Sequence, residues 1–306
     1  MIRMGIPHMG RGARRLVPLL AVAAVSVAAL GFAAPALAKK PTTPYENFGN
    51  CPTKVSGVNL CIFAQSNSGE FKIKKTTVPI TKTITLQGGV ILNESTGAET
   101  WVNAANGAET LSKTPETVPG GLLKILPPEF FPEPLKKIFN EFINKGITGV
   151  TASTELVGNI TINRTNLLSE SGVALTLPVR VHLENEFLGP GCYVGSKAHP
   201  VTLELTTGTT SPPLPNEPIK GSVGEPEILE GGNLVILKKN SLVNNTFAAP
   251  EAEGCGSQIL FGIFTGLIDD AVNSELELPS AAGHNTAILT GTLENAVAAA
   301  VVASEK

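Results

Sequence analysis

Between Val173 and Glu184 the chain alternates strictly: Val173, Leu175, Leu177, Val179, Val181 and Leu183 share one face, and Ala174, Thr176, Pro178, Arg180, His182 and Glu184 share the other. A period of two marks a strand with one buried side, because a helix would spread the same apolar residues around its axis. The spacing predicts the central strand of a sheet, and Leu188-Gly189-Pro190-Gly191 turns the chain before Cys192. Shorter alternations precede it at Val58-Leu60-Ile62, Phe71-Ile73, Val78-Ile80 and Ile84-Leu86, with Ser66-Asn67-Ser68-Gly69 predicted as a turn between the first two. Val150 to Leu156, Ile160 to Ile162, Val201 to Leu205, Asn233 to Leu237, Leu242 to Phe247 and Thr286 to Leu293 bring the expectation to about ten strands.

Two stretches break this period. In Leu135 to Lys145, Leu135, Ile138, Phe139, Phe142 and Ile143 recur at spacings of three and four with Lys and Glu opposite, which predicts a short amphipathic helix ending at Gly146. It belongs to a Pro- and Phe-rich segment, taken as an insertion at 113–147, whose Phe130, Phe131, Phe139 and Phe142 are the candidate apolar contact residues. The run from Ile259 to Ile268 is apolar on all sides and predicts a buried helix, too short to span a bilayer. Because helices do not alternate with strands, the fold class is mainly β: an antiparallel β-sandwich or Greek-key barrel with short helical insertions.

Residues 1–38 stand apart from this pattern. Arg3, Arg11, Arg14 and Arg15 precede an apolar run beginning at Leu16, and Ala36-Leu37-Ala38 has the small-x-small form of a cleavage site, so the stretch reads as a signal peptide. The alternative is an uncleaved N-terminal membrane anchor, since the run to Ala38 is just long enough to span. Cleavage after Ala38 leaves one β-rich domain, 39–306, with 19 basic and 26 acidic residues and a formal charge of −7. That balance offers no basic face to nucleic acid. With only Asp269 and Asp270 as aspartates, Asp-rich calcium loops are excluded.

Export changes how the cysteines are read. Cys51, Cys61, Cys192 and Cys255 are an even set in an oxidising compartment, which predicts a disulfide-bonded domain rather than thiols or a metal site. Of the three pairings, Cys51 with Cys61 and Cys192 with Cys255 are favoured: the first two bracket a hairpin-sized segment and the other two sit in Gly-rich turns.

Three stretches carry a likeness: Phe187 to Ser196 (FLGPGCYVGS), Leu205 to Pro213 (LTTGTTSPP) and Leu278 to Ala287 (LPSAAGHNTA). Over residues 148–293 the chain resembles a group of secreted actinobacterial proteins without an assigned activity. The resemblance implies export from an actinomycete and transfers no site residue.

Catalytic motifs are not apparent. The nucleophile elbow G-x-S-x-G is broken by Lys220 ahead of Gly221-Ser222, and Gly191 to Lys197 does not fit a phosphate loop. His182, beside Arg180 and Glu184, has the residue types for acid–base work, against the plainer reading of a solvated strand face. Convergence of His182, His199 and His284 on a zinc ion is the one metal arrangement available, and Trp101 is either a stacking platform or a core anchor. No cofactor, metal or catalytic residue is expected. The expected function is a non-catalytic exported module, structural, adhesive or binding, acting outside the cell on an envelope component, a protein partner or an apolar ligand. The alternatives are a carrier or sensor of apolar ligands or lipid built on Phe130 to Phe142, and a hydrolase without a recognisable motif.

Overall fold

A computed structural model of the chain describes residues 40–120, 132–134, 136–137, 149–185, 187–256 and 265–306. In chain order these residues form β1 (Leu60–Ile73), β2 (Thr76–Pro79), β3 (Ile84–Leu92), β4 (Glu99–Asn103), β5 (Glu116–Thr117), β6 (Thr151–Leu156) and β7 (Thr161–Ile162). The helix α1 (Arg164–Ser169) is followed by β8 (Leu175–Glu184), β9 (Tyr193–Val194), β10 (Val201–Leu205), β11 (Glu225–Leu229), β12 (Leu234–Asn244) and β13 (Ala252–Glu253). The chain closes with α2 (Thr265–Leu276), β14 (Asn285–Val297) and α3 (Ala298–Ala303).

The strands assemble into two antiparallel sheets. One has the order β11-β12-β14-β1-β3-β4 with β2 added to β1, and the other the order β13-β9-β8-β6-β5 with β7 and β10 added to β8. Both orders end in edge strands, so the architecture is an open sandwich and not a closed barrel. The strand predicted as central is central: β8 pairs with β6, β7, β9 and β10. Its Leu175, Leu177, Val179 and Leu183 join one core with Ile62, Ile84, Leu86, Leu237 and Leu242 of the facing sheet.

The longest strands correct the expected boundaries. Ser66-Asn67-Ser68-Gly69 is not a turn, because β1 runs straight through it, and the two strands expected at 233–247 are one, β12. In each case the polar residues form a β-bulge against the same neighbour. Ser66 and Ser68 face Gly291 and Thr290, leaving Asn67 over. Lys238 and Asn240 face Thr292 and Gly291, leaving Lys239 over with φ of +56°. An extra residue on each flank bends both neighbours of β14 at one level and adds twist, which lets long strands curve over the opposite sheet. Further differences lie at β4 and β5, in a Gly- and Ala-rich region with no predicted strand, and at α1. Of the apolar run at 259–268, the described part opens α2, which continues through the polar residues to Leu276.

Both favoured disulfides are present, Cys51–Cys61 and Cys192–Cys255. The first lies in a smaller core on the outer side of the β14 sheet, where Tyr45, Phe48 and Leu234 pack with Ala298 and Val301 of α3. There the two ends of the unit Lys39–Lys306 meet, Lys40 and Lys306 exchanging backbone hydrogen bonds. Among the described residues no helix is long and apolar enough to cross a membrane.

Candidate functional site

The two sheets do not close on each other everywhere. Between them lies an apolar cleft, open at its mouth. The alternation of β8 aims Val179, Val181 and Leu183 into it, and Phe71, Ile73 and Val78 line it from β1 and β2. Val194, Val201 and Leu203 extend the apolar wall, and Phe247 and Leu276 complete the apolar lining. The same period of two that builds the core thus also builds the lining. Polar groups are few: the hydroxyl residues Thr76, Thr114, Ser153 and Thr154, and one carboxylate, Glu116.

Glu116 is 4% exposed and is tied to the loop after β2. Its Oε1 accepts from the backbone amides of Thr81 (2.9 Å) and Lys82 (2.7 Å), and its Oε2 accepts from Thr81 Oγ1 at 2.6 Å. Burial by itself raises its pKa, but the Thr81 hydroxyl, the two amides and the Lys82 charge together outweigh burial and hold the carboxyl below its ordinary value. The group is therefore an anion at neutral pH, set at the edge of an apolar space. Glu116→Gln is expected to cost about 2 kcal/mol near neutrality, since an anionic acceptor of three donors is replaced by a neutral one. The folded pKa lies below the unfolded one, so this contribution is complete above about pH 4.3 and is lost as pH falls through the folded value. Urea midpoints at about pH 7 and about pH 3 should show the gap between wild type and variant closing in acid; an equal gap at both would contradict the assignment.

The opposite face of β8 carries a ladder of polar contacts. Glu155 accepts from Arg180 at 2.6 and 3.0 Å, the guanidinium lies 3.7 Å from the centre of the Tyr193 ring, and Tyr193 stacks on His182 at 4.3 Å. His182 Nδ1 stands 3.2 Å from Glu184 Oε1. The strand face is polar as predicted, but His182 is 8% exposed, so the expectation of a solvated histidine is corrected: a ring from the neighbouring strand β9 covers it. Ser153 is its partner across the β6–β8 ladder, which places serine, histidine and glutamate together. A hydrolytic triad needs the serine hydroxyl on the free imidazole nitrogen, yet among the described residues Nε2 is buried without a hydrogen-bond partner. The group braces the sheet. His182, His199 and His284 do not gather into a metal-holding cluster; no group of three His, Cys, Asp or Glu suited to a metal occurs among the described residues.

Other candidate residues fall as follows. Trp101 packs against the main core beside Gly88, whose missing side chain makes room for the indole, so it is an anchor and lies outside the cleft lining. Phe130, Phe131, Phe139 and Phe142 lie outside the described residues. The cleft itself, with Glu116, was not expected from the sequence: inward alternation is the same whether two sheets touch or stand apart. A second cavity lies under α1, lined by Leu167, Leu168, Val235 and Leu293 together with Arg164 and Asn295. Arg164 is held there by Glu99, which accepts from its backbone amide at 2.8 Å and its Nε at 2.5 Å. Comparisons with protein-family models, with curated proteins and with solved structures find no match for the chain.

Proposed function

We propose that this chain is a non-catalytic exported binding module whose ligand is a slender apolar chain held in the cleft between the two sheets. The observation that carries the reading is the cleft: a concave, open space lined by valine, leucine, isoleucine and phenylalanine with a handful of polar groups, the usual composition of a small-molecule site. Apolar surface gains about 25 cal/mol for each Å² removed from water, so a hydrocarbon chain supplies its own driving force there. Export is supported by the leader-like residues 1–38 and by two disulfides. The cleft supports a carrier or sensor over a purely structural or adhesive part, with the proposed contact surface on β1, β2, β8 and β10.

Nile red, a neutral dye that brightens in apolar surroundings, serves as probe. It is expected to bind saturably, and Val78→Trp, which fills the cleft from the half-buried strand β2, is expected to weaken it about tenfold or more. Leu168→Glu, at the mouth of the second cavity, should leave binding unchanged. Dye binding that ignores Val78→Trp, or follows Leu168→Glu, would overturn the proposal.

A further inference from the structure

We infer that the cleft selects an alkyl chain with a protonated amine head and rejects the corresponding fatty acid. This rests on the cleft being a ligand site, and names the ligand's chemistry. Glu116 is the only ionisable residue among the described cleft-lining residues, and no lysine, arginine or histidine is among them. A carboxylate head entering beside it would meet a fixed anion and no cationic side chain in the lining, in a space with little water to screen the two. An ammonium head meets the opposite situation.

The geometry leaves a place for it. Glu116 Oε1 already takes two amide donors, whereas Oε2 takes one, the Thr81 hydroxyl, among the described residues. A carboxylate oxygen accommodates two donors, so Oε2 keeps one acceptor position for an ammonium N–H. Cations on the flanking elements lie outside the lining, Lys82 among them although Glu116 feels its charge. Lys82 Nζ donates to the Pro115 carbonyl at 2.8 Å, Lys75 pairs with Glu277 at 3.1 Å, and Lys113 pairs with Glu155 at 3.4 Å. Thr154, paired across the ladder with Val181 and so on the cleft face, brings a further hydroxyl for an ammonium proton, and the apolar wall from Val181 to Leu203 takes the chain.

The test is competition against Nile red on the full mature chain at neutral pH, using decylamine, decanol and decanoate below their micelle-forming concentrations. Decylamine should displace the dye at a concentration about tenfold or more below that of decanoate, with decanol between them. Decyltrimethylammonium, which has the charge but no N–H to give, should be weaker than decylamine. Glu116→Gln should bring amine and acid to within about threefold of each other while leaving decanol unchanged. The wild-type series decides the matter even if that variant does not fold. Equal binding of amine and acid, or tighter binding of the acid, would overturn this inference and leave the apolar cleft standing. If neither the dye nor any chain bound, both would fall.

Discussion

Replacing Gly291 by alanine is expected to destabilise the protein by about 3–5 kcal/mol, or to prevent folding altogether, although the change adds one methyl group. Gly291 lies in β14 between two bulged neighbours, facing Ser66 of β1 and Asn240 of β12. A Cβ built there falls inside the contact distance of the Gln65 carbonyl oxygen and 2.9 Å from Ser66 Cα. These are backbone atoms in the middle of a paired strand and have nowhere to move without breaking the ladder. Gly266→Ala is the control: it lies in α2 with nothing among the described residues within 4 Å of an added Cβ, and should stabilise by about 0.5–1 kcal/mol through helix propensity. Urea denaturation of both variants checks the pair. A Gly291→Ala protein within about 1 kcal/mol of wild type would show that the two bulges do not lean on this residue.

The second large effect belongs to Cys192–Cys255. The bridge closes a loop with a sequence separation of 63, against 10 for Cys51–Cys61. Loop-closure entropy then assigns about 4 kcal/mol to the former and about 3 kcal/mol to the latter. The longer bridge also sits where several elements converge. Both its cysteines are fully buried, the Cys192 carbonyl accepts from the Leu183 amide at the end of β8, and the Cys255 amide donates to Asp269 of α2 at 2.7 Å. Burial, the leading cause, raises the Asp269 carboxyl above its ordinary value in spite of the amides of Cys255 and Gly254. Cys192→Ala/Cys255→Ala should therefore lose about 4 kcal/mol, with Nile red binding weakened in step because β9 carries Val194 into the cleft. A double variant as stable as wild type would mean that the reduced chain already holds this region together.

How far the sequence shows this molecule depends on the range of the interaction concerned. Alternation revealed β8 and most other strands because side-chain direction is local. The cysteine partners were readable because Cys51 and Cys61 flank one short segment and Cys192 and Cys255 sit in glycine turns. The bulges misled: Ser66-Asn67-Ser68-Gly69 and Lys238-Lys239-Asn240 have turn composition, and both are paired with β14, remote in sequence. His182 was placed on the correct face, but the ring that buries it comes from Tyr193 on another strand. Glu116 gave no signal at all, since its donors, Thr81 and Lys82, come from a different loop. The cleft depends on how far apart two sheets stand, which no local pattern encodes.

The central claim is that the space between the sheets is where an apolar chain goes. It is tested most directly by nuclear magnetic resonance of methyl-labelled Ile, Leu and Val residues during titration with decylamine. The account predicts saturable shifts at Ile73, Val181, Val201 and Leu203, with Val235, Leu237 and Leu293 unmoved. Shifts confined to those last three, or none at any methyl, would contradict it.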